Sequence, residues 1–585
     1  MFMLKKLAGC VRQYKLPAFL TPLFVILETV AEVLIPLVMA GLIDKGITLG
    51  NMGEVVRYGI YLLILTCLAM FFGVTAGFTA SHASAGFAAN LRHDMFDNVQ
   101  KFSFFSIDKF STASIVTRLT TDVSNVQMAF QMITRITVRA PAMLIFAFVS
   151  AFNIDRRLSM VYLCAIPLLA VGLFVIVKLA FPRFQRVFKT YDKLNAVVEE
   201  NLRGIRVVKS FVQEEHEKSK FGAISDSIYK DFSKAEKTVA GNAPLMQIAI
   251  YACMVLISWF GAQAVVASGN DELLGLSTGE LMSLFTYSMQ ILMSLMMLSM
   301  IFVMLTLSKA SANRIVEILD EKTDITDGES AVSEVKDGSV EFRNVSFTYS
   351  KTAEKNALDN ISIKIASGET IGILGGTGSS KSTFVQMIPR LYDVTEGAVL
   401  VGGVDVRDYT LDALRNNVAM VLQKNVLFSG TIKDNLRWGN ENATDEQIQH
   451  VCELACADEF IQGFPDKYDT WIEQGGANVS GGQKQRLCIA RALLKKPKIL
   501  ILDDSTSAVD TKTDAMIRKA FREEIPDTTK LIIAQRVSSV QDADRIIVLN
   551  NGRIDAVGTH EELLSSNDIY REVYESQMKG AEDDE

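Results

Sequence analysis

The sequence predicts an α-helical membrane domain followed by a soluble α/β domain. The chain has 585 residues, 49% of them hydrophobic, so it is too long for one compact domain and apolar enough to include membrane spans. The apolar windows lie almost wholly before Lys309. Beyond that point, an apolar strand, a Gly-rich turn and a helix follow one another, an order typical of α/β domains.

The membrane half is predicted to contain six spans. A helix needs about 20 mostly apolar residues to cross a bilayer. The third span is the weakest prediction, because its start carries Arg135 and Arg139. An even number of spans returns the chain to its starting side. The spans are expected near residues 17–43, 56–81, 129–153, 158–180, 242–268 and 281–308.

Two connections, 82–128 and 181–241, are long, charged and patterned like helices that extend out of the membrane. They hold most of the lysines and arginines of this half, so we expect them, and both termini, in the cytosol. Their tips, near 105–114 and 212–217, are expected to contact the soluble half. Basic residues precede the first span without a small-residue cleavage site, which indicates a cytosolic elbow rather than a signal peptide.

Composition excludes some functions. The formal net charge of −8 argues against nucleic-acid binding, which needs a concentrated basic surface. The 7 cysteines are scattered without metal-ligand spacing, as expected for a chain in a reducing compartment.

The stretch "TIGILGGTGSSKST", Thr370 to Thr383, predicts a phosphate site. A strand, a Gly-rich turn and a helix N-terminus together present backbone N–H groups to phosphate. Lys381 would reach the terminal phosphates, and Ser382 would ligate Mg²⁺. The strict pattern has glycine before the lysine, where this chain has Ser380. The loop residues predicted to contact nucleotide are Gly375, Gly376, Thr377, Gly378, Ser379, Ser380, Lys381, Ser382 and Thr383.

A second apolar strand, "ILILDD", ends in Asp503 and Asp504. Continuous apolar sequence is typical of a strand covered on both faces, and Asp503 is placed to hold Mg²⁺. Between the two strands lie Gln423 and the stretch "NVSGGQKQR". The SGGQ tetrapeptide precedes a helix and forms another loop able to present N–H groups and a hydroxyl to phosphate.

In this order, after six spans, the motifs make the chain resemble the ATP-binding cassette (ABC) exporters, specifically half-transporters with one membrane domain and one α/β P-loop nucleotide-binding domain. The resemblance implies a dimer with two ATP molecules at its interface. Tyr349, in "VSFTYS", would stack on adenine, and Gln423 would join Mg²⁺ to the membrane domain. Asp510 would end the loop that communicates across the dimer. The signature, which binds the nucleotide of the opposite subunit, would consist of Ser480, Gly481, Gly482 and Gln483.

The resemblance covers nearly the whole chain and divides it into four parts. We expect a transmembrane domain over 1–320, a linker over 321–337, an ABC domain over 338–575 and an acidic tail over 576–585.

The nucleotide site departs from the family pattern at three positions. Ser380 replaces glycine, Asp504 replaces the glutamate that follows the Mg²⁺ aspartate, and Gln535 replaces the histidine of the switch loop. A general base must lie within roughly 2.6–3.2 Å of the water it activates, or act through one water, and Asp504 is one methylene too short. Gln535 can donate a hydrogen bond but cannot carry an imidazole's positive charge.

All three departures affect this chain's own ATP, whereas the signature serves the partner's ATP and is close to intact. We therefore expect a heterodimer in which this chain supplies a binding-only site and the partner has the intact glutamate and histidine. A slow homodimer with tolerated substitutions is the alternative.

The membrane half gives two weaker indications of cargo. Glu28 and Glu32 lie one turn apart on the first span. They would line a cavity and attract cations, pair with Arg135 and Arg139, or stay hydrated near an interface. In the sixth span methionines recur at helical spacing, a pattern that is more often packing than a ligand surface. They are Met289, Met293, Met296, Met300 and Met304.

The sequence thus predicts ATP-driven, multidrug-type export of amphipathic small molecules across a bacterial cytoplasmic membrane. Lipid or peptide export, and a regulatory ATP-binding subunit that gates a partner, remain alternatives.

Overall fold

The structure is a computed structural model that describes residues 2–270, 275–328, 331–350, 355–505 and 508–582. Residues 329–330 of the expected linker and 583–585 of the expected acidic tail lie outside the described residues. The chain forms two compact units. The first contains residues 1–101 and 111–321, and the second contains residues 102–110 and 322–585.

The first unit is helical, and within its described residues six helical stretches are long and apolar enough to span a membrane. This confirms the predicted six-span domain. The helices continue well past the apolar windows, which gives α3, α7 and α11 lengths of 49, 48 and 43 residues. The helices that precede the soluble strands are α1 Phe2–Gly9, α2 Lys15–Gly41, α3 Met52–Gln100, α4 Phe104–Phe110, α5 Thr112–Thr117, α6 Val123–Ile154, α7 Arg156–Arg203, α8 Ile205–Ser210, α9 Glu214–Ala240, α10 Asn242–Ser268 and α11 Thr278–Asp320.

Buried polar groups in the apolar part of this unit bond to backbone on neighbouring helices. The Tyr287 hydroxyl of α11 donates to the Val33 carbonyl of α2 at 2.7 Å, and the Tyr162 hydroxyl of α7 donates to the Leu284 carbonyl at 2.7 Å. Because lipid offers no hydrogen bonds, each polar group has to find a partner inside the protein. These bonds fix the rotation of α2, α7 and α11 about their axes.

Arg139, one of the two arginines at the start of the third span, is paired with carboxylates. Arg139 of α6 donates from Nη1 to Glu28 Oε1 at 2.7 Å and from Nη2 to Glu32 Oε1 at 2.7 Å. The structure thus contains one of the pairings expected from the sequence, and it explains how α6 carries an arginine at membrane depth.

The second unit contains a six-stranded sheet of order β12-β11-β3-β10-β9-β6 and a four-stranded sheet of order β2-β1-β4-β5. Strands β6, β9, β10, β3 and β11 are parallel, and β9 and β10 are buried throughout. This agrees with their apolar sequences and confirms the α/β fold class. The strands are β1 Val340–Phe347, β2 Leu358–Ile365, β3 Thr370–Leu374, β4 Glu396–Val401, β5 Val404–Asp405, β6 Val418–Val421, β7 Gly430–Thr431, β8 Trp471–Ile472, β9 Ile499–Asp503, β10 Thr529–Ile533, β11 Arg545–Asn550 and β12 Arg553–Gly558.

The helices of this unit are α12 Lys381–Gln386, α13 Leu411–Asn417, α14 Ile432–Arg437, α15 Asp445–Leu454, α16 Asp458–Gln462, α17 Gly481–Leu494, α18 Thr511–Glu524, α19 His560–Ser566 and α20 Asp568–Glu582. The segment 102–110, which contains α4, belongs to the same unit: Asp108 Oδ2 accepts a hydrogen bond from the Tyr392 hydroxyl at 2.9 Å. Part of the expected linker also packs on this unit, since Val335 is buried and the Val332 N–H donates to the Asp408 carbonyl at 2.7 Å.

Candidate nucleotide-binding site

The sheet brings the predicted phosphate loop and the predicted acidic pair to the same edge. The Gly-rich loop leaves β3 and enters α12, while Asp503 is the last residue of β9. Strand β10 lies between β3 and β9 and is parallel to both. The carboxyl ends of parallel strands meet at one edge of a sheet, which is where α/β proteins place ligands.

The backbone of the Gly-rich loop adopts conformations that favour glycine. Gly375 has φ +154°, and a Cβ added there would lie 2.2 Å from the Leu549 carbonyl oxygen. Gly378 has φ +81°. Ser380, directly before α12, has φ 71° and ψ 26°, in the left-handed region where an L-residue is strained and glycine is not. This left-handed conformation explains why the family pattern has glycine at the position that Ser380 occupies here.

Two charged residues, Lys381 and Asp503, lie close together at the Gly-rich loop, and Ser382 is hydrogen-bonded to Asp503. Lys381 Nζ donates to the carbonyls of Gly375 at 2.8 Å and Gly376 at 2.9 Å. Burial lowers the pKa of Lys381, while the charges of Asp503 and Asp504 oppose that shift. Burial raises the pKa of Asp503, against the hydrogen bond from Ser382. Burial thus disfavours the charged forms of Lys381 and Asp503 more than their neighbours stabilise them. Such perturbed pKa values are common where a charged ligand binds.

Tyr349 lies beside the start of α12. Its hydroxyl and Thr383 Oγ1 are 2.9 Å apart and share a hydrogen bond. Its ring packs edge-on against Phe347 and Tyr392, with centroid separations of 4.8 Å and 5.3 Å, and the residue remains 42% exposed. The ring is thus supported by other aromatic side chains while part of its surface stays accessible.

Asp504, Gln423 and Gln535 form one hydrogen-bonded cluster. Asp504 Oδ2 accepts from Gln535 Nε2 at 2.7 Å and from Gln423 Nε2 at 3.3 Å. The Asp504 N–H donates to the Ile533 carbonyl at 3.0 Å, and the residue has φ 48°. Two amides therefore donate to one oxygen of the Asp504 carboxylate, Oδ2. The two departures from the family pattern, Asp504 and Gln535, are direct partners.

Ser480 to Gln483 form the N-terminus of α17. Ser480 Oγ accepts from the Gln483 N–H at 3.3 Å, and Gln483 Oε1 accepts from the Ser480 N–H at 2.9 Å, a complete capping box. Gly482 packs closely on the loop that follows β9: an added Cβ would lie 2.8 Å from the Ala508 carbonyl oxygen. Gly481 faces the same residue, with 3.6 Å between its added Cβ and the Ala508 Cβ. That loop ends at Asp510, which caps α18 by accepting from the Thr513 N–H at 2.9 Å.

Sequence reasoning missed Gln577, on the C-terminal helix α20. Its Oε1 accepts from the Val537 N–H at 2.9 Å, and its Nε2 donates to the Gln535 carbonyl at 2.8 Å. The Gln577 side chain therefore bonds to the backbone of two switch-loop residues, Gln535 and Val537. No local sequence signal marks this contact, because α20 reaches the loop through the fold rather than through neighbouring sequence.

Comparisons with known proteins agree with this architecture. Residues 18–296 match the ABC transporter transmembrane region, and residues 358–507 match the ABC transporter family. The chain is 35% identical to an uncharacterized ABC transporter ATP-binding protein, YfiB, of Bacillus subtilis (strain 168), over 98% of this chain and 99% of that protein. It is 34% identical to an uncharacterized ABC transporter ATP-binding protein, Rv1273c, of Mycobacterium tuberculosis (strain ATCC 25618 / H37Rv), over 98% of this chain and 97% of that protein.

Among solved structures, the chain is similar to that of a bacterial Atm1-family ABC exporter with ATP bound. The TM-score is 0.81 at 24% identity, covering 97% of this chain and 99% of the other. ABC exporters act as dimers in a membrane, and their ABC domains bind ATP and couple its hydrolysis to transport. The chain belongs to the ABC transporter family, as a half-transporter in which one six-span membrane domain precedes one ABC ATPase domain.

Proposed function

We propose that this chain is one half of a heterodimeric exporter in a bacterial cytoplasmic membrane, with both termini in the cytosol. In this proposal its own ATP site binds nucleotide without efficient hydrolysis. Its signature, Ser480 to Gln483, completes the hydrolytic site of a partner half-transporter with an intact catalytic glutamate and histidine. The cargo is an amphipathic small molecule.

Residues of the Gly-rich loop and its neighbours would hold ATP. The N–H groups at the start of α12 would donate to the phosphates, and Lys381, whose charged form is disfavoured by burial, would pair with the terminal phosphates. Tyr349 offers an exposed, supported ring for the adenine. Gly376 and Thr377 belong to the same loop and would contribute backbone contacts.

Mg²⁺ would be held by the oxygens of Ser382 and Asp503, which already contact each other, together with Gln423. When bound, the ion neutralises phosphate charge. Few protein ligands suffice, because Mg²⁺ keeps several waters and takes phosphate oxygens as the rest of its shell.

The observation that carries the asymmetric assignment is the bond between Gln535 and Asp504. A water-activating base needs a carboxylate free to approach the water, whereas here Gln535 and Gln423 donate to the same oxygen at 2.7 Å and 3.3 Å. An Asp504 side chain held this way would orient Gln423 and Gln535 and leave water unactivated. Ser480 and Gln483, by contrast, form a complete capping box that fixes the start of α17, so the signature keeps an ordered local structure.

The experiment compares the purified full-length chain alone with the complex that it forms with its partner, both in proteoliposomes. We expect an azido-ATP analogue to label this chain in both samples, and Lys381→Ala to abolish the label. We expect ATP-driven transport from the complex alone. Robust transport by this chain without a partner contradicts the heterodimer, and failure to label a chain whose partner is labelled contradicts nucleotide binding.

A further inference from the structure

The C-terminal helix α20 places one amide side chain, that of Gln577, on the backbone of the switch loop, residues 535–537. Gln577 Nε2 donates to the Gln535 carbonyl at 2.8 Å, and Gln577 Oε1 accepts from the Val537 N–H at 2.9 Å. A primary amide carries a donor and an acceptor on one rigid group, so both bonds form together. The loop backbone is therefore fixed at two points by a single residue.

The switch loop has few other anchors. Before it, the Ala534 N–H donates to a carbonyl of β3 at 3.3 Å, and after it the Val537 carbonyl accepts from two later N–H groups. Ala534 and Val537 are buried, whereas Gln535 and Arg536 between them are exposed. Within the described part of the chain, Gln577 is the hydrogen-bond partner of the Gln535 carbonyl. An exposed segment with so few backbone bonds opens at low free-energy cost when one is lost.

Helix α20 delivers Gln577 from the face that anchors it. Tyr570 is 1% exposed, and Val573 and Tyr574 pack against the buried apolar cluster that contains Val537. Gln577 lies one turn after Val573, on the same side of the helix. Docking of this apolar face therefore carries the Gln577 amide to the loop, and undocking of α20 would withdraw it.

The loop that Gln577 holds lies at the edge of the predicted phosphate site. Gln535 follows β10, the strand between β3, which leads into the Gly-rich loop, and β9, which ends at Asp503. The Gln535 side chain donates to Asp504 Oδ2 at 2.7 Å. Gln535 is thus held on its side-chain amide by the acidic pair and on its backbone by α20.

We propose that Gln577 is a positioning residue for this chain's nucleotide site, and that α20 docking and ATP binding stabilise each other. The docked helix holds the switch loop so that Gln535 meets the terminal phosphate. ADP lacks that phosphate and makes no such contact. This inference rests on the nucleotide binding of the proposed function and is independent of which subunit hydrolyses ATP.

The test uses the full-length chain with its co-purified partner in lipid nanodiscs, photolabelled on ice with an azido-ATP analogue and read on this chain alone. Unlabelled ATPγS or ADP competes, and the ratio of their inhibition constants measures the preference for a third phosphate. The variant is Gln577→Met, which keeps an unbranched side chain and removes the amide. The matched control is Glu575→Met, an exposed position about 200° around the same helix.

We expect Gln577→Met to raise the inhibition constant of ATPγS about fivefold, the effect of about one net hydrogen bond, and that of ADP by less than about twofold. Glu575→Met should change neither. An unchanged constant for ATPγS overturns the proposal. So does an equal loss for both nucleotides, because a merely structural role of Gln577 would weaken the whole site.

Hydrogen exchange of the wild-type complex supplies a second readout that needs no variant. Coupling between two sites is reciprocal, so ATPγS should slow exchange of the α20 amides by the same factor of about five, and ADP should not. An α20 that exchanges equally fast with and without ATPγS contradicts the coupling.

A failure of this proposal is distinguishable from a failure of the proposed function. A chain that is labelled but shows an unchanged nucleotide preference in Gln577→Met refutes the role of Gln577 alone. A wild-type chain that takes no label refutes nucleotide binding and this inference with it. Transport without a partner would refute the heterodimer and leave the coupling of α20 to ATP in place.

Discussion

Replacing Ser380 by glycine is expected to stabilise the soluble unit. Ser380 has φ 71° and ψ 26°, and among the described residues its side chain makes no capping hydrogen bond that would offset the strain. An L-residue in this region costs roughly 1–2 kcal/mol, and glycine avoids that cost. Glycine also adds about 0.4–1 kcal/mol of conformational freedom to the unfolded chain. The relief of strain exceeds this entropic cost, so Ser380→Gly should raise the free energy of unfolding by about 0.5–1 kcal/mol.

The assay is scanning calorimetry of the full-length protein in detergent, following the transition of the soluble unit. For a domain of about 150–250 residues, 1 kcal/mol moves Tm by roughly 2–4 °C, so Ser380→Gly should raise it by about 1–4 °C. The matched control is Gly378→Ser. Gly378 has φ +81° and no described atom within 4 Å of an added Cβ, so this change introduces backbone strain without a clash and should lower Tm by a similar amount.

A lower Tm for Ser380→Gly, or an unchanged Tm for Gly378→Ser, would refute the assignment of strain to this loop.

Three further predictions concern other sites. Asp504→Glu alone should raise the complex's ATPase rate by less than about twofold, because Gln535 still lacks a histidine's charge and catalytic groups acting as a unit are not additive; a larger gain would place the whole defect at Asp504. Gln577→Ala should remove the acceptor of the Val537 N–H and speed its hydrogen exchange about fivefold, the effect of losing one hydrogen bond of about 1 kcal/mol. An unchanged exchange rate would show that α20 does not hold the switch loop. Arg139→Met should destabilise the membrane unit by about 3–5 kcal/mol, because it leaves two carboxylates without their cation; a melting temperature equal to wild type would argue against the pairing.

The parts of the fold that depend on local sequence were predictable. Each span is a continuous apolar helix, and the Gly-rich loop follows its strand directly, so both are visible in short windows. The third span was the weakest prediction because of its arginines. The structure shows how one of them is tolerated: Arg139 bonds to two carboxylates on α2, a contact that depends on how α2 and α6 are rotated.

The contacts within the site were less predictable. Asp504 bonds to residues 81 and 31 positions away in sequence, and only the parallel order of β6, β9 and β10 brings them together. The sequence identified Asp504 and Gln535 as separate departures, but their direct hydrogen bond is a tertiary fact. Gln577 carries no motif, since any helix that packs there could present a polar side chain to the loop.

The asymmetric assignment is tested most directly by the steady-state ATPase rate of the purified complex carrying Ser480→Arg or Asp504→Asn in this chain. Ser480→Arg replaces the hydroxyl of the capping box with a bulky cation, where the signature would close over the partner's γ-phosphate, and should reduce the rate at least about 100-fold. Asp504→Asn changes a carboxylate already held by two amides and should reduce the rate by less than about twofold. Equal, severe losses from both changes would contradict the account, because they would mean that this chain's own site hydrolyses ATP as the partner's does.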